Sequence, residues 1–394
     1  MTMQKRAFLA AMSALALSTG VARAADAEKP VRIGFSISKT GMFANAAPSE
    51  LNSYELWKDT VNAGGGLDIG GKGKRPIEFV MYDDQSNPGT AARIYEKLIT
   101  QDKVDLLLAP WGTPTHAAVA PVLERFKFPM VGNSAASAKL RDLKPGYIWF
   151  VTAAFPDRIA RELGAMMQAN GIKTVALLTN VLPYSKEVKG FLEPVLKEKG
   201  IQVVVNEEYP PDIKDMTVQL SQVKKANPDA VLSLSYPGDS ALFVRQAKEL
   251  GINSKFQFAM VGPAMDFFPK LLGDSVNGLV TMGHWTPSLN PRAKAFFDAY
   301  SKRFNEKPDF LDSAESYISC EILQQAVAKA GLDKVALRKE ISSDTFTTIV
   351  GDVKFTGVEN LSTKTGLLQL QNGSPELVWP PATANAKFQP KTGS

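Results

Sequence analysis

From residue 31 onward, short runs rich in β-branched residues alternate with longer amphipathic segments, and this alternation restricts the fold more than any other feature of the chain. Val31 to Ile37 reads as a strand and Ala47 to Val61 as a helix. A strand at Ile77 to Tyr82, a helix from Pro88 to Thr100, a buried strand at Val104 to Leu108 and a helix from Thr115 to Arg125 follow. A helix that carries the chain back to the same end of a sheet makes the strands on either side of it parallel neighbours. The order therefore predicts an α/β fold on parallel sheets. After Trp149-Phe150-Val151 it starts again, with helices at 156–170, 185–199, 216–226 and 239–250 and strands at 174–178, 201–205, 230–235 and 256–260. Gly171, Gly200 and Gly251 stand just past three of these helices, where a left-handed residue ends a helix. From Pro291 the pattern turns mainly helical, at 291–304, 312–329 and 334–342, and strand-like pieces at 353–355, 367–371 and 377–379 close the chain. Two α/β halves in tandem are expected, because about 370 residues exceed what one compact core organises.

The first 24 residues have Lys5 and Arg6, then an apolar stretch from Ala7 to Leu17, then Ala22-Arg23-Ala24, a small-x-small site. That is the layout of a secretory signal peptide cleaved after Ala24. Its apolar part falls short of the ~20 residues a membrane span requires, and no later segment is long and apolar enough to span one, so the mature protein is expected to be soluble and exported. Cleavage removes Lys5, Arg6 and Arg23 and no acid, so the formal charge falls from +5 to +2. Basic residues are scattered among acids with no clustered basic face, which excludes nucleic acid as a partner. The single cysteine, Cys320, forms no intrachain disulfide and sits among Ile318, Ile322 and Leu323 as a packing residue.

Several motifs suggest chemistry and fail their structural context. The glycines at 64–66, 70, 71 and 73 follow a helix and precede a strand, whereas a phosphate loop runs from strand into helix, so a flexible connection is expected. Two histidines, His116 and His284, and one distant cysteine offer no metal-ligand spacing, and no cofactor is expected. Asp83-Asp84 point to opposite sides of a strand end and read as helix-capping residues rather than a general acid/base pair. Ser36-Ile37-Ser38-Lys39 and the Lys-Thr-Gly strings at 39–41 and 364–366 resemble those of exported serine acyl hydrolases. There the serine opens a helix, whereas Ser36 ends a strand, on which residues four apart lie ~13 Å from each other. Gly132-Asn133-Ser134-Ala135-Ala136 lacks the final glycine of a nucleophile elbow. An enzyme is not expected.

What remains is a binding site. Trp111-Gly112-Thr113-Pro114-Thr115 follows the strand at 104–108, and Gly132-Asn133-Ser134-Ala135 follows residues 129–131. Ligands of open α/β sheets bind beyond the carboxyl ends of the strands. A helix opening at Thr115, together with the Thr113 hydroxyl, is suited to a carboxylate without any cation, although ordinary capping explains either threonine alone.

The chain resembles the exported leucine/isoleucine/valine-binding proteins, type I periplasmic receptors of ABC importers. The resemblance runs through Val31-Arg32-Ile33-Gly34-Phe35, Asn62-Ala63-Gly64-Gly65, Tyr82-Asp83-Asp84-Gln85, Ala91-Ala92-Arg93 and Arg245-Gln246-Ala247. It implies two Rossmann-like parallel-sheet lobes, residues 25–152 with 285–355 and 153–284 with 356–394. Three hinge crossings near 151–155, 282–288 and 355–359 would join them. It also implies a periplasmic monomer that carries a small carboxylate, an amino acid or a related organic acid, to a membrane permease. Thr113, Ser134 and Ala135, with Asn133 beside them, stand where the family holds the ligand carboxylate, and Tyr184 and Tyr236 where aromatic residues face the cleft. The family's ammonium-binding acid follows a Gly-Pro pair, yet Gly262-Pro263 is followed by Ala264. Either Asp266 substitutes, or the ligand lacks an amino group. Phe43, Trp111 and Trp285 add aromatic character that would suit a benzoate-like acid. A sensor that docks on a signalling receptor would have the same sequence features.

Overall fold

The computed structural model describes residues 29–142 and 146–391, so the leader expected at 1–24 lies outside the described residues. In the first unit the chain runs through β1 (Val31–Ile37), α1 (Ala47–Ala63), β2 (Leu67–Asp68), β3 (Lys74–Arg75), β4 (Ile77–Asp83), α2 (Pro88–Thr100) and β5 (Leu106–Leu107). It continues through α3 (Thr113–Phe126), β6 (Met130–Gly132), α4 (Ala138–Asp142) and β7 (Ile148–Phe150). Strand β1 lies between β4 and β5, parallel to both, and β6 pairs in parallel with β7. As the inner strand of its ladder, β1 is buried at every residue but Arg32, which is half-buried.

The second unit holds α5 (Pro156–Ala169), β8 (Thr174–Asn180), α6 (Pro183–Glu198), β9 (Gln202–Tyr209), α7 (Thr217–Ala226), β10 (Ala230–Leu234), α8 (Pro237–Glu249), β11 (Phe256–Ala259), α9 (Phe267–Leu272) and β12 (Leu279–Met282). The chain then returns to the first unit as α10 (Pro291–Phe304), α11 (Asp312–Ala330) and α12 (Lys334–Ser343). It adds β13 (Thr345–Thr348), β14 (Gly351–Thr356) and β15 (Glu359–Asn360) there, and ends in the second unit with β16 (Leu367–Gln371) and β17 (Ser374–Trp379). The sheet of the second unit has the order β17-β16-β12-β11-β10-β8-β9, in which only β16 runs against the others. Helix α11 packs on α1, and the Trp57 indole donates to Gln324 across them at 2.9 Å.

The chain passes between units three times. The first two passages follow β7 and β12, and the third follows Asn360, where Glu359 pairs with Phe150 and the Asn360 amide donates to the Val151 carbonyl at 2.9 Å. The second and third passages touch at Gly283 and Gly366. A side chain at Gly366 would put a Cβ 2.5 Å from the Gly283 carbonyl oxygen, so both glycines are demanded by close approach.

Two local expectations change. The glycines at 64–73 form no loose connection but frame the β2–β3 hairpin, where Gly66 has φ +109° and lies against the Arg75 backbone. Asp83 and Asp84 cap no helix, since Asn87 does that for α2. Asp84 is buried and accepts from the Ser36 and Ser38 hydroxyls at 2.7 and 2.6 Å, which ties Ser36 into the scaffold. Among the described residues no group of three or more metal-ligating side chains occurs, and no helix is long and apolar enough to cross a membrane.

Candidate functional site

Where strand ends of the two units face each other, residues of both line a small cavity of about 40 Å³. Trp111, Thr113, Ser134 and Ala135 line it from the first unit, and Tyr184 and Tyr236 from the second. Helix α3 begins at Thr113, two residues earlier than its sequence suggests, because Gly112 takes φ 87° and turns the chain into the helix while Pro114 occupies its first turn. Thr113 is thus the first helical residue, beside N–H groups that no carbonyl of the helix reaches. Its hydroxyl also joins the two strand-end loops, accepting from the Ala136 N–H at 3.2 Å.

The Ser134 hydroxyl is engaged within its own unit, donating to Glu50 at 2.9 Å and accepting from the Gly112 N–H at 3.0 Å. Asn133 lies beneath the wall, where its amide donates to the Tyr54 hydroxyl at 2.5 Å and to Ser316 at 3.2 Å. Phe43 does not line the space but stacks behind it, 4.7 Å from the Trp111 ring and 5.9 Å from the Tyr236 ring. Trp285 packs between Phe296 and Phe310, away from the wall. Ala264 is buried off the wall, its carbonyl accepting from the Phe310 N–H at 3.0 Å. Asp266 pairs with Lys270 in an outer groove.

The wall has seven further residues that the sequence does not single out: Thr152, Ala154 and Met282 from the passages, Val261 after β11, and Leu311, Asp312 and Glu315 at the start of α11. The Tyr184 hydroxyl donates to the Ala154 carbonyl at 2.7 Å. Asp312 accepts from the Trp111 indole N–H at 2.9 Å. Burial, then the neighbouring Asp309 charge, push the Asp312 carboxyl up to about 8, against the stabilising Trp111 bond. Burial likewise lifts Glu315 well above the usual carboxylate range, and Asp312 adds to it. Glu315 lies 3.7 Å from His284 Nδ1, but burial lowers that imidazole to about 4, so near neutral pH the contact is not an ion pair. Burial beside the cavity therefore favours neutral carboxylic acids over paired charges.

The two units also touch around the cavity. The Ser137 hydroxyl and the Ala138 N–H of the first unit donate to Glu187 of the second at 2.5 and 2.8 Å. Together with the Phe43–Tyr236 stack, these contacts make the described arrangement a closed one.

A relative from Brucella melitensis, a Leu/Ile/Val-binding protein homolog, is 24% identical over 351 residues, 84% of this chain and 85% of its own. A branched-chain amino acid transporter substrate binding protein from Streptococcus pneumoniae, solved with isoleucine, superposes with a TM-score of 0.82 at 22% identity, covering 89% of this chain and all of that one. A solute binding protein of an ABC transporter from Rhodopseudomonas palustris, solved with benzoate, has a TM-score of 0.79 at 19% identity, covering 93% and 98%. At these identities the solved structures show the fold. The periplasmic binding protein family matches residues 30–372, and the chain belongs to that family, a family of binding receptors and not of enzymes.

Proposed function

We propose that the protein captures a small organic carboxylate between its lobes in the periplasm and delivers it, chemically unchanged, to the permease of an ABC importer. The observation that carries this reading is the cavity walled by both units, with the start of α3 and Thr113 on one wall and aromatic rings on the other. First-turn N–H groups and the helix dipole favour an anion there without any Lys or Arg. Trp111, Tyr184 and Tyr236 supply an apolar surface for the ligand's body. The lobes of this reading are residues 30–152 with 285–360 and 153–284 with 361–391. They act as a monomer and close by rotation at the three passages.

Calorimetry of the mature protein against amino acids and aromatic acids tests the reading. At least one small carboxylate binds with one-to-one stoichiometry and is recovered unaltered. Thr113→Val preserves shape but removes a hydroxyl, costing about 1–3 kcal/mol of binding, a roughly ten- to hundredfold loss of affinity, and it also lowers the unfolding midpoint because the Ala136 N–H loses its acceptor. Unaltered affinity in the folded variant removes Thr113 from the site.

A further inference from the structure

Asp312 and Glu315 are the only acids on the cavity wall among the described residues, and no Lys, Arg or His stands there with them. The two acids are not equivalent. Asp312 is engaged by the Trp111 indole N–H at 2.9 Å. Glu315 has a side chain only 2% exposed; the Thr152 hydroxyl and the Ala153 N–H favour its ionised form, but its Oε1 has no hydrogen-bond partner. Across the cavity the Tyr236 hydroxyl is also buried and unpartnered. Buried polar atoms without partners are uncommon in folded proteins, and two of them on facing walls of one cavity mark a place for a hydrogen-bond donor supplied from outside. The donor's charge follows from the company these atoms keep. Glu50, Asp309, Asp312 and Glu315 are all buried in this region, and Asp312 receives the Asp309 charge while Glu50 and Glu315 receive that of Asp312. An arriving cation relieves this mutual repulsion and favours the ionised form of the carboxyl it touches.

Resting on the reading of this cavity as the site for a small carboxylate, we propose that Glu315, supplied by the first lobe, is the acid that receives the ammonium group of an α-amino acid ligand. Neither Ala264 nor Asp266 plays this part, the first having no carboxyl and the second being paired with Lys270 outside the cavity. The ligand's carboxylate then lies with Thr113 and the start of α3, and its side chain against the aromatic rings. Glu315 stands beside Thr152 and Ala153 of the first passage and His284 of the second, so the ligand's positive charge is bound at the hinge itself.

The test compares leucine and phenylalanine with their deaminated counterparts, 4-methylpentanoate and 3-phenylpropanoate, by calorimetry on the mature protein. At least one amino acid binds about a hundredfold or more tighter than its deaminated partner. Glu315→Gln, close to isosteric, abolishes that preference by weakening the amino acid about a hundredfold while leaving the deaminated acid within roughly threefold. Asp266→Asn changes neither. Should Glu315→Gln fail to fold, Glu315→Asp draws the carboxylate back by one methylene and weakens only the amino acid, by about tenfold. Equal binding of both ligand classes, or amino-acid affinity that survives Glu315→Gln, overturns the inference and leaves capture of a carboxylate standing. If none of these four binds but a benzoate-like acid does, the inference alone falls; if no small carboxylate binds, both readings fall.

Discussion

At the scale of single residues, the site is a set of side chains whose sequence neighbours say little about their surroundings. Thr113 was legible because a hydroxyl beside a proline at a strand end announces a helix start, and only the exact first residue shifted, through the positive φ of Gly112. Asp312 and Glu315 were not legible. They belong to a helix whose other residues include Ser313, Ser316, Ser319 and Glu321, a composition that suggests a solvated face, yet all of these are buried. The burial has a measurable cost. Asp312 is held up to about 8 in the folded chain, above the ~3.9 of an unfolded aspartate, so the folded state keeps a proton that the unfolded state has lost. Stability from this group is complete below pH ~4 and is lost as pH rises toward 8. His116 and His284, buried and lowered to about 4, act in the opposite sense, losing stability only as pH falls below ~6.5. Between pH 6.5 and 8 the acid term is therefore expected to decide the slope. Urea unfolding of the ligand-free protein should show wild type losing about 1–2 kcal/mol more across that interval than Asp312→Asn, which keeps the acceptor for Trp111. Parallel slopes would show that Asp312 is ionised throughout. Asp309, Glu50 and Glu315 are charge neighbours of this group, and His284 lies 3.7 Å from Glu315, so the single substitution flattens the curve only in part.

At the scale of elements, strands and helices were read well where period and length agree, and poorly where a segment is short. The alternation of α1 through β11 follows the expected order, while the β2–β3 hairpin, α4, α9, β12 and β13 escaped because segments of two to six residues leave almost no periodic signal. Contacts between elements of different units were beyond reach altogether. The clasp of Glu187 on α6 to Ser137 and Ala138 joins residues some fifty positions apart on opposite lobes. Breaking it should leave each lobe's core untouched and reduce only the population of the closed form. Glu187→Ala is expected to weaken ligand affinity roughly tenfold, chiefly through faster dissociation, because bound ligand leaves when the lobes open. Stopped-flow tryptophan fluorescence, with Trp111 on the cavity wall, reads this directly. An unchanged dissociation rate would mean that Glu187 does not hold the lobes together.

At the scale of the whole molecule, two sheets joined by three passages make closure a rigid-body motion, so ligand and shape are linked. Saturating ligand should reduce the radius of gyration in small-angle scattering, and ligand at 100 times its Kd should stabilise the folded protein by about 2.7 kcal/mol. A radius of gyration that does not respond to a bound ligand would contradict hinge closure. The sequence by itself determined the α/β class, the tandem halves, the absence of catalytic spacing and the strand-end position of Thr113, since each follows from local periodicity, turn chemistry or spacing between near neighbours. Only the tertiary structure decided that α11 returns to face the cavity, that Ser134 is engaged by Glu50, that Asp266 is drawn away by Lys270 and that Glu315 stands unpaired on the wall. The physical reason is that burial and charge compensation belong to pairs of surfaces, and here the paired surfaces come from segments as much as 200 residues apart, as Trp111 and Asp312 do.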